Sequence, residues 1–181
     1  MHQIGWRRSS WIAAIAIAVL VVAVPSQLHA QRRSRATLFE DIVLPPRFRP
    51  DPLFLDGISG GTFEIAAMSD REDTETGSCV GFVQQTPDHR LELTAEFASL
   101  HLQVFSSDDT TLLVRGPGGS WCNDDFEGKN PGIAGKWLAG TYEIWVGSYH
   151  RDEYHPYTIQ ISQIQLPDPG GFPPNIYRYP R

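Results

Sequence analysis

The chain has 181 residues, a formal net charge of −6 and only two cysteines. With a leader of thirty residues set aside, 151 remain, carrying 13 basic and 21 acidic side chains. That is room for one domain with its own core, not for a two-barrel protease or a Rossmann enzyme with a second domain. A net −8 on the remainder also argues against nucleic acid, whose binding rests on Lys and Arg neutralising phosphates.

Residues 1–30 read as a secretory signal peptide. Arg7 and Arg8 form the basic region, an uncharged run follows from Trp11 to Val24, and Pro25 leads to a small-residue end at Ala30. As a helix the apolar run reaches ~21 Å, short of the ~30 Å of bilayer hydrocarbon, so no integral span is expected after cleavage. Leu28, three positions before the cut, departs from the A-x-A pattern and leaves an uncleaved anchor as the alternative. Ser9 and Ser10 stand where a twin-arginine signal prefers apolar residues. The expected destination is the periplasm or the cell exterior.

Residues 31–56 carry Arg32, Arg33 and Arg35, then Pro45, Pro46, Pro50 and Pro52. Proline at that spacing opposes helix and ladder alike, which predicts an extended lead-in. Residues 57–164 carry the periodic pattern of a β domain. Leu91 and Leu93, then Leu100, Leu102 and Val104, alternate with polar neighbours. Tyr142, Ile144 and Val146, and later Tyr157, Ile159 and Ile161, do the same. A period of two sets each apolar group on one sheet face. Shorter candidate strands are Thr62–Ala67, Cys79–Val83, Thr111–Arg115 and Gly132–Trp137, and turn residues fall between them. Seven to nine short strands and no sustained helical period make an all-β antiparallel sandwich or barrel. Residues 165–181 form a tail with five prolines and two glycines, in which Phe172, Ile176, Tyr177 and Tyr179 are apolar enough to pack.

An even cysteine count in an exported chain predicts a disulfide, here Cys79–Cys122, closing a loop of about 44 residues and stabilising by about 4 kcal/mol. Oxygen ligands are dense from Asn123 to Asn130, without the spacing of an EF-hand. A second acidic turn runs from Ser106 to Thr110. If Leu112–Arg115 and Ser120–Cys122 pair across Pro117-Gly118-Gly119, both turns share one end of the domain. Asp109, Asn123, Asp124, Asp125 and Asn130 are then candidate Ca2+ ligands; the dull alternative is that Asp109, Asn123 and Asp125 cap their own turns.

Gly57-Ile58-Ser59-Gly60-Gly61 matches the G-x-S-x-G nucleophile elbow, which needs a strand before it and a helix after it, but here proline precedes and a strand-like segment follows. No histidine of the exported chain precedes Ser59, so the reading is a turn or bulge rather than a nucleophile. His89, His101, His150 and His155 show no zinc spacing. Trp121, Trp145 and Tyr149 are candidate binding residues, with core packing as the alternative for at least two of the three tryptophans Trp121, Trp137 and Trp145.

The run Asp109-Thr110-Thr111-Leu112, Pro117-Gly118-Gly119, Asn123-Asp124-Asp125, Gly140-Thr141-Tyr142 and Val146 resembles the bacterial pre-peptidase C-terminal domain over roughly residues 78–164. A wider pattern that includes Trp121–Asp125 and Trp145–Tyr149 is similar to small exported bacterial proteins of unknown function. The resemblance implies a jelly-roll-like β-sandwich that assists secretion or binds substrate beside a protease, with Ca2+ in some members. No protease domain accompanies it here, and metal residues carry over only at Asp109 and Asn123–Asp125. The expected protein is a non-catalytic exported binding module, Ca2+-stabilised, contacting polysaccharide or a protein partner in or beyond the cell envelope. Its alternatives are a small secreted hydrolase and a structural envelope component.

Overall fold

The computed structural model describes residues 37–163. The expected signal peptide, the basic arm and the Pro-rich tail lie outside the described residues. Two main sheets face each other. One holds β1 (Asp41–Leu44), β3 (Phe63–Glu64), β6 (Phe82–Val83), β7 (His89–Leu93), β9 (Thr110–Gly116), β10 (Gly119–Asn123) and β12 (Gly140–Ser148). The other runs β11 (Gly132–Trp137), β8 (Phe97–Phe105), β13 (Pro156–Ser162), β2 (Leu53–Ile58). A short pair, β4 (Asp73–Thr74) and β5 (Gly77–Ser78), stands apart. Pairing is antiparallel throughout except for β1, which lies parallel to β7. The fold is an all-β sandwich. Its described strands outnumber the seven to nine expected because β1 and β2 lie in the lead-in, where no strand was expected, and β4 and β5 are only two residues long, too short to show a period.

The core between the sheets is the set the alternation selects. Leu91, Leu93, Leu112, Val114, Tyr142, Ile144 and Val146 come from one sheet; Leu55, Leu100, Leu102, Val104, Ile159 and Ile161 come from the other. Each such side chain contributes about 1.5–3 kcal/mol by leaving water.

A second apolar layer covers the outer face of the first sheet. Ile65, Cys79, Val83, Leu113, Cys122 and Trp145 form it, and Trp145 pairs directly with Leu113 across β12 and β9. The Cys79–Cys122 disulfide lies in this layer and ties the chain after β5 to β10. Strand β12 is therefore buried on both faces along its second half.

Three expectations change. The lead-in is not outside the fold: β1 and β2 belong to the two sheets, and Leu44, Phe48 and Leu55 sit in the core. The prolines fall in the connector between those strands, where no ladder amide is needed. Thr62–Ala67 is not a strand. After two residues of β3 the chain turns into α1 (Ile65–Ser69), closed by Asp70 in the left-handed region at φ 56°. Ile65 and Ser69, four apart, are its buried residues, a helical spacing rather than an alternating one. Cys79–Val83 breaks at Gly81, leaving only Phe82–Val83 as strand.

Candidate functional site

The acidic turns do meet at one end, because β9 and β10 form the expected hairpin with Asn123 opposite Leu112. Protein groups knit them. The Asn123 amide oxygen accepts from the Gly132 N–H (2.9 Å) and its nitrogen donates to the Thr76 carbonyl (2.7 Å). Asn130 accepts from the Ser106 N–H (2.9 Å), and Lys129 lies 3.7 Å from Asp109. Asp124 is half-buried; burial first, then the charges of Asp125 and Asp109, push its carboxyl above the usual range. Among the described residues no three His, Cys, Asp or Glu side chains gather in an arrangement able to hold a metal ion. The five candidate ligands thus share one end of the sandwich, with Asn123 and Asn130 engaged by backbone groups.

Ser59 is completely buried. Its hydroxyl lies 2.9 Å from that of Ser148 and accepts from the His155 N–H (3.2 Å), while its own N–H donates to the His155 carbonyl (2.8 Å). The His155 ring nitrogens face Asp108 (3.4 Å) and Glu153 (3.5 Å), not Ser59. Gly60 and Gly61, at φ 100° and 157°, let the chain pass where a Cβ would come within 1.9 Å of the Glu153 carbonyl and 2.1 Å of the Val83 backbone. The G-x-S-G-G segment is a packing device that seals this end.

Between the sheets lies a buried polar cluster that no sequence motif marks. Asp88, 1% exposed, accepts from the Val146 N–H (2.7 Å), and burial raises its pKa to about 7. Beside it the His89 ring reaches the Tyr157 hydroxyl (2.9 Å) and the Glu40 carbonyl (3.1 Å). Burial holds that imidazole's pKa below its ordinary value. Phe39 covers the pair, its ring centroid 5.7 Å from that of His89 and 6.4 Å from that of Tyr157. Asp88, His89 and Tyr157 are all buried, and their hydrogen bonds account for their positions.

The opposite end of the sandwich carries a cleft of about 350 Å³. The β9–β10 turn at Pro117-Gly118 lies across the β11–β12 turn at Leu138, and Trp121, Trp137 and Tyr142 fill the angle between them. The ring centroids of Trp121 and Trp137 lie 6.2 and 4.9 Å from that of Tyr142. The floor is rigid: Trp137 donates to the Leu100 carbonyl (3.1 Å) and Tyr142 to the Leu138 carbonyl (3.0 Å). Leu138 and the half-buried Trp121 stay accessible on the walls. A register shift between Gly135 and Trp137 bulges the edge of β11, and Lys136 lines the cleft there while its ammonium pairs with Glu96 (3.0 Å). Trp121 also borders a second, polar hollow of about 290 Å³ lined by Arg71, Thr74, Glu75 and Ser120.

Of the expected binding residues, Trp121 lies at this cleft. Trp145 does not: it is 1% exposed in the outer apolar layer, because Leu113, the disulfide and α1 cover the face on which it stands. Tyr149 is 45% exposed, edge-on to His150, where β12 leaves the sheet at the acidic end. Trp137 and Tyr142 were legible as strand residues but not as cleft residues. Their place depends on two turns far apart in sequence lying side by side.

No protein-family model matches the chain. An uncharacterised protein of Synechococcus elongatus is 29% identical over 99 residues, covering 52% of this chain and 73% of that protein. Among solved structures, the pre-peptidase C-terminal domain of a collagenase from Bacillus anthracis superimposes with a TM-score of 0.41 and 9% identity, covering 68% of this chain and 96% of that one. The chain is similar to that domain in its β architecture.

Proposed function

We propose that this protein is an exported, non-catalytic binding module that holds a polysaccharide chain in the aromatic cleft. The observation that carries the reading is Trp121, whose indole separates an apolar hollow from a polar one. A sugar ring has the same two characters: an apolar face that stacks on an aromatic ring, and hydroxyls that need donors and acceptors. Glu75 supplies an acceptor at the apolar hollow, and Lys136, paired with Glu96, keeps further N–H donors there. The disulfide supports export, since such bonds persist in oxidising compartments. Among the described residues no helix is long and apolar enough to cross a membrane.

Affinity electrophoresis or co-sedimentation with purified cell-wall polysaccharides tests the reading. Binding is expected with the unchanged protein and at least about ten-fold weaker binding with Trp121→Ala, since a central Trp commonly carries 2 kcal/mol or more. Equal retention of the two proteins, or none of either, removes the cleft from the function.

A protein partner is the second reading, favoured by β2, an edge strand of its sheet that exposes Phe54 and Ile58. Ca2+ at the acidic end is a lesser part of the proposal. The repulsion among Asp109, Asp124 and Asp125 supports it, and the commitment of Asn123 and Asn130 to backbone amides counts against it. A thermal melt in millimolar Ca2+ against EDTA decides: saturation at a hundredfold Kd adds about 2.7 kcal/mol, and coincident melts remove Ca2+ from the reading.

A further inference from the structure

We propose that the aromatic cleft is the docking site of the chain's own segment 164–181. The inference does not require the polysaccharide reading; if both hold, the segment is the competitor that a polysaccharide displaces.

Path comes first. Strand β13 runs antiparallel to β8, from Thr158 opposite Phe105 to Ser162 opposite His101. His101 pairs on its other side with Ala134 of β11, which lines the cleft. The segment therefore leaves the sheet two strand spacings, about 10 Å, from the cleft. It also leaves in the right direction, toward the end where Trp137 pairs with Phe97. Its start is held: the Gln163 side chain accepts from the Arg47 N–H (2.7 Å), and the Gln163 N–H donates to Asp51 (3.4 Å). Eight extended residues reach about 25 Å, which brings Phe172, Pro173 and Pro174 over the cleft with length to spare.

Chemistry agrees with path. The segment holds Pro167, Pro169, Pro173, Pro174 and Pro180 among Phe172, Tyr177 and Tyr179. Proline-rich chains dock in aromatic-lined grooves because their rings pack on indole and phenol faces and they lose little conformational freedom on binding. Trp121, Trp137 and Tyr142 make such a groove. Charge is complementary as well. Residues 70–75 carry Asp70, Glu72, Asp73 and Glu75 against Arg71 alone, while the segment carries Arg178 and Arg181 against Asp168. Glu75 lines both hollows beside Trp121. Lys136 and Arg71 also line these hollows, Lys136 already paired with Glu96, so Glu75 is the carboxylate there that the arginines of a proline-rich chain can meet beside the aromatic groove.

Hydrogen exchange of the full chain, followed by mass spectrometry without polysaccharide, tests the proposal. Amides of residues 164–181 are expected to exchange at least about ten-fold more slowly than in the isolated 164–181 peptide, and to lose that protection in Trp121→Ala. If Trp121→Ala proves unstable, the triple change Phe172→Ser, Pro173→Ser and Pro174→Ser carries the same test. It lies outside the sandwich and should shift the tryptophan emission of an otherwise unchanged fold. Exchange at the free-peptide rate, or protection unmoved by either set of changes, overturns the proposal. Protection that grows with protein concentration also overturns it, in favour of a second copy as the source of the segment. Because no polysaccharide is present, failure here leaves the polysaccharide reading standing, and failure of that reading leaves this one.

Discussion

Asp88 is a carboxyl sealed inside the sandwich, and desolvation holds its pKa up to about 7 against an ordinary 3.8. The folded chain binds that proton more tightly than the unfolded chain does, so raising the pH costs stability. The contribution is whole below about pH 4, is lost progressively up to about pH 7 and is flat above. At about 1.4 kcal/mol per unit the full effect is roughly 4 kcal/mol. Asp88→Asn keeps an oxygen for the Val146 N–H and has no proton to lose. Its unfolding free energy relative to the unchanged chain should rise by roughly 2–4 kcal/mol between pH 4 and pH 8 in urea titrations; a difference independent of pH would contradict a buried charge. Trp145 tests burial in the other direction. Trp145→Ala should cost about 3–5 kcal/mol through the cavity it leaves, whereas Tyr149→Ala, on an exposed side chain, should stay within about 0.5 kcal/mol. The sequence could not separate these two residues, because one lies on a covered outer face and the other past the end of the same strand.

At the scale of elements, legibility followed length and alternation. β7, β8, β12 and β13 were readable because each sets a run of apolar residues at period two. α1 was not, because five residues are too few for a helical period to separate from an alternating one. The hairpin β9–β10 was readable from Pro117-Gly118-Gly119, and with it the meeting of the two acidic turns. What the two asparagines do there was not, because the Asn123 and Asn130 side chains are turned to the backbone amides of Gly132 and Ser106. The disulfide joins residues 43 apart. Replacing both Cys79 and Cys122 by Ser should lower stability by about 4 kcal/mol in denaturant titrations. A loss under about 1 kcal/mol would mean that the outer layer holds without the bond.

For the whole molecule, the composition boundary at Gly57 is not the boundary of the fold. A chain beginning at Gly57 lacks β1, most of β2, and the core residues Leu44, Phe48 and Leu55. Each lost Leu or Phe is worth about 2–5 kcal/mol, comparable with the 5–15 kcal/mol of an entire domain. Circular dichroism should show no cooperative melt for that chain and a cooperative one for a chain beginning at residue 31; a sharp transition in the shorter chain would place β1 and β2 outside the folding unit. What the sequence determined by itself was local and periodic: the strands, the turns between them, the cysteine pair and an acidic module. Those follow from side-chain alternation and turn chemistry, which act between neighbours. Tertiary structure alone decided which tryptophan is buried, that the proline-rich lead-in pairs into both sheets, and that Trp121, Trp137 and Tyr142 line one cleft. Each of those depends on which distant strands lie side by side, and no local pattern encodes that.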